Sequence, residues 1–490
     1  MQTLAVENYR SLRHLVIPLG PLNVITGANG SGKSSLYRAL RLLAEASRNG
    51  AVAALAREGG LDSALWAGPD KLQRDEGLHP LHTLRTDPGL RLGFAGDTGD
   101  FSYAIELGKP IPDALSMFNS DPDIKREVIW SGPVLRPSAV LADRANSIVR
   151  IRGAEGDWAN AYNQLRLYDS MLSEFADPQR APEVLTLRDL VRSWRFYDHV
   201  RTDSDAPARG SRVGTRTPVL GPDGEDLAAA LQTIREIGDP AALNAAVDLA
   251  FPGSRLNVTS DTAGRFDLWL SQPGLHRPLG VTELSDGTLR YLLWVAVLLT
   301  PRLPRLLVLN EPETSLHPDL LAPLAQLIVT GAARSQLIVV SHSRPLIAMM
   351  EKLGGPVNTI ELAKHSGQTF VIGQEPLDEP LWHWPKRLPV QGAGVPSLAA
   401  GMSASTNVVE PAGRVTVSSV RSRRRSSDSA SPRVMAASRR ALACTSGRSM
   451  TASTRLARLP GATCPDAACI DARAVPSASL DVVTSAAATV

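Results

Sequence analysis

Polar and apolar positions alternate over Thr3–Glu7 and apolar ones cluster over Leu15–Leu19 around a polar turn, which predicts an opening antiparallel hairpin. Leu22-Asn23-Val24-Ile25-Thr26 reads as a short buried strand that runs into a glycine-rich turn, and helical spacing follows from Lys33 to about Ser47. Residues 50–160 mix short strand patterns (Phe101–Leu107, Glu127–Trp130, Ile148–Ile151) with turns of Gly, Pro and Asp. Helical patterns dominate Ala161–Arg201, and Thr202–Pro218, rich in Arg, Asp, Ser and Gly, reads as a polar loop or lid. Asp226–Ile237 is helical, a strand-rich approach leads to Leu284, and Leu289–Leu299 is a helix with an apolar stripe. Leu306–Leu309 and Gln336–Val340 have the unbroken apolar character of strands buried on both faces. No fixed-period repeat and no sustained heptad occurs.

Composition narrows the class. The chain has 490 residues, 43% apolar and 21% charged, which suits a soluble globular protein of about three domains at roughly 150 residues each. These values exclude overall disorder and a collagen, and the three cysteines (Cys444, Cys464, Cys469) are too few and too late in the chain for a disulfide scaffold. Met1–Glu7 shows no basic segment ahead of an apolar stretch, and the longest apolar run, Tyr291–Leu299, is half of a bilayer span. A cytoplasmic protein without a membrane partner is expected.

The net charge of +3 conceals two pieces: residues 388–490 carry 12 Arg, no Lys and five acids, a net of +7, which leaves −4 on residues 1–387. All aromatic, His and Lys residues lie before residue 388. The tail therefore buries too little apolar surface to offset ordering entropy, and it is expected to be disordered. Arg421-Ser422-Arg423-Arg424-Arg425 could be a basic arm for nucleic acid or acidic partners, a solvated extension, or the product of a shifted reading frame. The abrupt loss of residue types at one point favours the last two. The body lacks the basic footprint of most DNA-binding chains.

Candidate chemistry begins at Gly27-Ala28-Asn29-Gly30-Ser31-Gly32-Lys33-Ser34, which fits G-x-x-x-x-G-K-[ST] with a strand before it and a helix after it. Its glycines let backbone N–H groups turn inward on a phosphate, and the helix N-terminus adds its positive end. Lys33 is expected to reach the β- and γ-phosphates of ATP, and the Ser34 hydroxyl to hold Mg²⁺. Leu306–Leu309 would deliver Asn310-Glu311-Pro312-Glu313 to the same sheet edge, with Glu311 as general base. Asn310 stands where such a strand normally ends in Asp; it can accept a hydrogen bond from a Mg²⁺-bound water but brings no charge, and Glu313 is the candidate to supply that charge. His342, at the end of Gln336–Val340, is a candidate γ-phosphate contact. Ser285 is a good N-cap for the helix that follows, and its neighbour Gly287 bares backbone N–H groups.

Together these motifs resemble the ABC-type ATPase heads of the SMC, RecF and OLD group, and above all stand-alone bacterial ATPases of the AAA_21 type, whose hallmark string looks like Leu309-Asn310-Glu311-Pro312-Glu313-Thr314-Ser315-Leu316-His317-Pro318. The likeness runs from about Met1 to Lys386, with softer points at Glu7–Leu12, Trp194–Tyr197 and Asp223–Leu227. It implies an α/β P-loop NTPase, ABC-ATPase-head-like, with an inserted mixed α+β lobe and a disordered C-terminal tail. The head would be formed by residues 1–50 and 281–387, the lobe by 51–280 and the tail by 388–490. It also implies a nucleotide-dependent homodimer in which Ser285 and Gly287 contact the γ-phosphate in trans, Ser315–Pro318 communicates across the dimer and His342 is the switch histidine. Asp286 and Thr288 depart from Leu-Ser-Gly-Gly-Gln, which disfavours a transporter. Asn310 suits the stand-alone subgroup and points to slow hydrolysis.

Two functions compete: an ATP-hydrolysing head coupled to DNA or a DNA-bound partner, as in repair or defence, and a slow ATP-gated switch acting on a protein effector. Arg188, Arg192 and Arg195, placed on one helical face near Trp194, Phe196 and Tyr197, could be a phosphate-backbone stripe. The acidic body ranks a solvated Arg face ahead of it.

Overall fold

The structure is a computed structural model; it describes residues 1–48, 50–68, 89–153, 155–162, 164–198, 200–354, 357–375 and 377–386. The expectations for 388–490, the basic arm and the cysteines among them, lie outside the described residues. In chain order the strands are β1 (Thr3–Tyr9), β2 (Leu12–Pro18), β3 (Leu22–Gly27), β4 (Leu90–Ala95), β5 (Phe101–Gly108), β6 (Asp123–Ser131), β7 (Val140–Ala145), β8 (Ile148–Arg152), β9 (Trp158–Tyr162), β10 (Arg195–Tyr197), β11 (Arg212–Val213), β12 (Arg255–Ser260), β13 (Arg265–Ser271), β14 (Leu279–Gly280), β15 (Leu306–Asn310), β16 (Gln336–Val340), β17 (Val357–His365) and β18 (Gln368–Val371). The helices are α1 (Lys33–Ala46), α2 (Ala51–Arg57), α3 (Leu61–Ala64), α4 (Met171–Glu174), α5 (Pro182–Ser193), α6 (Leu227–Ile237), α7 (Pro240–Ala250), α8 (Asp286–Leu298), α9 (Leu321–Ala332) and α10 (Arg344–Lys352).

The site rests on a sheet of order β10-β15-β16-β3-β17-β18, in which only β18 runs antiparallel to its neighbour. Parallel strands put their C-terminal ends on one edge, so β3, β15 and β16 deliver their following loops to the same place. The side-chain period of two splits their apolar residues between two cores. Ile25, Val308, Ile338 and Val340 face a core that includes Leu36, Leu40 and Leu43 of α1. Val24, Leu307, Leu309, Leu337 and Val339 face one that includes Leu231, Leu292 and Leu324 of α6, α8 and α9. Burial on both faces explains why β15 and β16 carry no polar alternation in sequence.

A second sheet, of order β2-β1-β4-β5-β6-β7-β8-β9, is antiparallel throughout. The opening hairpin forms as expected, with Thr3 opposite Pro18 and Tyr9 opposite Leu12. Residues from the 51–280 segment enter both sheets: β4–β9 extend the hairpin, and β10 joins the edge of the nucleotide sheet beside β15. A small sheet of β11, β13, β12 and β14 lies in the same segment.

Two local expectations are corrected. Between Ala161 and Arg201 the helix is confined to one turn at Met171–Glu174 and to Pro182–Ser193. Trp194 turns extended at φ −57°, ψ 139°, and the aromatic run after it pairs as β10, so Arg195 does not share a helical face with Arg188 and Arg192. Arg192 and Arg195 give hydrogen bonds to backbone carbonyls, Arg192 to Ser47 and Arg195 to Arg192, Ser193 and Trp194. Pro240–Ala250 is a helix where a strand-rich approach was expected; the Asp239 side chain caps it through the Ala242 N–H, with Pro240 in its first turn. Thr202–Pro218 is mostly irregular, as a polar loop should be, with a 3₁₀ turn at Pro207–Arg209 and the short strand β11 within it. No helix among the described residues is long and apolar enough to cross a membrane.

Candidate functional site

The loop between β3 and α1 needs its glycines. Gly27, Gly30 and Gly32 have φ of 140°, 78° and 112°, a region that L side chains rarely enter. A β-carbon on Gly27 would run into the Leu362 carbonyl and one on Gly32 into the Thr369 hydroxyl, so the loop is pressed against β17 and β18. Ser31 N donates to the Ala28 carbonyl (3.2 Å). Thr369 Oγ1 donates to the Ser31 carbonyl and shares a hydrogen bond with Ser11 Oγ, both at 2.8 Å. Thr369 is fully buried.

Lys33, the first residue of α1, is 8% exposed, and its ammonium donates to the Gly27 (2.6 Å) and Ala28 (3.0 Å) carbonyls. It is thereby held over the loop whose N–H groups would receive a phosphate. Ser34, next on the helix, is exposed at the helix N-terminus.

Beyond β15 the chain turns sharply. Asn310 pairs with Val340, and Glu311 N donates to the Val340 carbonyl at 2.8 Å. Glu311 then takes φ 47°, a left-handed conformation unusual for a residue other than glycine. Such residues gather at functional sites, at a cost of about 1–3 kcal/mol each. Trp294 Nε1 of α8 fixes the turn by donating to the Pro312 carbonyl (2.9 Å). The buried Ser341 hydroxyl donates to Glu313 Oε1 at 2.6 Å and also accepts from Ser343 N at 3.0 Å. Glu313 Oε2 is buried without a hydrogen-bond partner. His342 Nδ1 stands 3.5 Å from Glu311 Oε1, with both side chains about half exposed.

Ser285 caps α8, its Oγ accepting from Thr288 N (3.2 Å), and a β-carbon on Gly287 would lie 3.3 Å from the Ser315 carbonyl. The start of α8 therefore abuts the turn that follows Glu313. Lys33, Ser34, Asn310, Glu311 and His342 thus share one sheet edge, while Ser285 and Gly287 sit beside Ser315. Sequence reasoning missed Thr369, Ser11, Ser341 and Trp294, because each acts through a long-range contact that no local pattern announces.

The AAA_21 family model, described as "AAA domain, putative AbiEii toxin, Type IV TA system", matches residues 22–349. The chain belongs to the AAA_21 family. It is an ATPase-type nucleotide-binding head, and the match takes in the loop at Gly27, the turn at Glu311 and His342. A search of curated proteins gives no match to this AAA_21 chain.

Among solved structures it is similar to an Smc head bound to the C-winged helix domain of ScpA (15% identity, 76% of this chain and 96% of that one, TM-score 0.40). It is also similar to the SMC head domain from Thermotoga maritima (14%, 76% and 98%, TM-score 0.35) and to the Smc head domain with a coiled coil and joint from Pyrococcus yayanosii (10%, 77% and 97%, TM-score 0.37). Likeness at this level carries nothing about the function of the AAA_21 chain.

The residues present fit ATP with Mg²⁺. Three glycines in left-handed backbone, a buried lysine over the loop and a helix N-terminus make a phosphate cradle. Among the described residues no three His, Cys, Asp or Glu side chains gather into a metal cage. Ser34 at the start of α1 and Asn310 at the end of β15 would stand beside a Mg²⁺ held through phosphate oxygens and water.

Proposed function

We propose that this chain binds and hydrolyses ATP, dimerises around it, and couples turnover to DNA or a DNA-associated partner. The observation that carries the reading is the convergence of Lys33, Glu311 and His342 on the C-terminal edge of three adjacent parallel strands.

In this reading Gly27–Gly32 bind the phosphates through their backbone N–H groups, and Lys33 exchanges the Gly27 and Ala28 carbonyls for phosphate oxygens. Mg²⁺, when bound, neutralises phosphate charge. Ser34 and Asn310 orient its shell, and Glu313 supplies the nearby negative charge that Asn310 lacks. Glu311 orients the attacking water and accepts its proton. His342 holds the γ-phosphate side of Glu311. Ser285 and Gly287 offer the N-terminus of α8 to the nucleotide of a second copy. Hydrolysis is slow, because an amide stands at residue 310 where an acid is expected.

The net charge of −4 on residues 1–387 favours a second reading, a slow ATP-gated switch that acts on a protein effector. Steady-state ATP turnover with and without linear duplex DNA, with Lys33→Ala as background, separates the two. A several-fold rise with DNA supports the first, and slow turnover indifferent to DNA supports the second. Turnover no higher than that of Lys33→Ala removes hydrolysis altogether.

A further inference from the structure

The turn that opens α8 is exposed at Thr282, Glu283, Ser285 and Asp286, while Leu284 is buried in the core and Val281 packs against it. Within the turn the Leu284 N–H reaches the Val281 carbonyl at a long 3.4 Å. Glu283 braces the start of the turn by accepting from Gly280 N (2.9 Å) and Arg277 (2.7 and 2.8 Å), and Arg209 ties the turn to the body. That guanidinium donates from one nitrogen to the carbonyls of Val281 (2.9 Å), Thr282 (3.3 Å) and Leu284 (2.9 Å), and from another to Asp286 Oδ1 (2.8 Å). Its remaining donors go to the carbonyls of Thr202 (2.8 and 3.0 Å) and Asp203 (3.0 Å).

The Arg209 side chain is 9% exposed, and its position is set by Ala206 and Ala208, both buried. Ala208 packs in the core that holds Val200, Leu220 and Leu227. An arginine fork fits this task, since five N–H donors in one plane can tie two segments at once, which a lysine ammonium cannot reproduce.

We propose that Arg209 is a positioning residue for ATP turnover: it holds Ser285 and Gly287 in the shape that closes on a nucleotide carried by a second copy of the chain. The proposal rests on the trans arrangement under Proposed function. It assigns Thr202–Pro218 a purpose, as the segment that joins the α8 turn to the body. A misaligned N-terminus loses donors that charge-bearing phosphates reward, so the defect falls on the partner's nucleotide and not on the protomer's own.

The test mixes full-length variants. Arg209→Gln alone is expected to lower turnover at least about tenfold, the worth of one charged hydrogen bond, while ATP affinity of the separate protomer stays within about twofold. Mixed with Lys33→Ala, which keeps an intact α8 turn but no phosphate lysine, Arg209→Gln should regain turnover, because one composite site is whole. Ser285→Arg mixed with Lys33→Ala is the reference pair. If the reference pair regains turnover and the Arg209→Gln pair does not, the proposal is overturned. If the reference pair regains nothing, the trans arrangement itself falls and takes the proposal with it. Arg209→Lys serves if the Gln variant does not fold: it should be impaired alone and rescued in the mixture, and full activity on its own would also overturn the proposal.

Discussion

The Nδ1 atom of His342 lies 3.5 Å from Oε1 of Glu311 across the ends of two adjacent parallel strands, β16 and β15. That separation is long for a hydrogen bond, and catalytic contacts commonly tighten only when the substrate is bound. The left-handed turn at Glu311 and the Val340 carbonyl that accepts its N–H set the carboxylate beside the imidazole. Glu311→Gln is expected to retain ATP, to lower turnover by about 10²–10⁴-fold and to accumulate ATP-bound dimers. Single-turnover kinetics and size-exclusion chromatography with ATP check this. A fully active Gln variant would move the base to Glu313.

Lys33 gives its protons to two carbonyls of its own loop, so it is preorganised for phosphate. Lys33→Ala removes the ammonium that would exchange these carbonyls for phosphate oxygens, and ATP affinity should fall about a hundredfold or more by calorimetry. Unchanged binding would place the nucleotide elsewhere.

The C-terminal hairpin of β17 and β18 supports the phosphate loop through Thr369. Thr369→Val deletes the bonds to Ser31 and Ser11, takes the donor from the buried Ser31 carbonyl, and should weaken ATP binding about tenfold with little change in single-turnover rate. Gly32→Ala meets both a φ of 112° and the Thr369 hydroxyl, so it should abolish binding. An ATP-binding Gly32→Ala would show that the loop is not held in this shape.

The eight-stranded sheet contains a fully buried ion pair, Arg144 with Glu127 at 2.6 Å, in which Glu127 also accepts from Tyr103 (2.6 Å), Ser170 (2.5 Å) and Met171 N (2.8 Å). Burial, together with this carboxylate, pushes the Tyr103 hydroxyl well above its usual pKa. Arg144→Met should cost about 3–5 kcal/mol in urea unfolding: three donors remain on Glu127, but the carbonyls of Asn146, Arg166 and Asp169 lose the guanidinium. Turnover per folded molecule should not change.

Deleting residues 388–490 should leave ATP turnover as it is in the full chain. Loss of turnover or of solubility would show that the boundary near residue 388 cuts through something the head requires.

The local structure around the candidate site was legible in the chain itself. Eight consecutive residues from Gly27, an apolar strand before Glu311, an N-cap serine at 285 and the opening hairpin each declare themselves within a short stretch of chain, because strand period, glycine freedom and capping are local physics. The chain did not announce that Trp194–Tyr197 would leave the helix to pair with β15. Nor did it show that Thr369 would support a loop more than three hundred residues earlier, or that one guanidinium at 209 would hold the turn at 281–286. Those relationships depend on which buried polar groups find partners once the sheets are assembled. That pairing is decided by the packing of distant segments, where an unmet hydrogen bond costs the most.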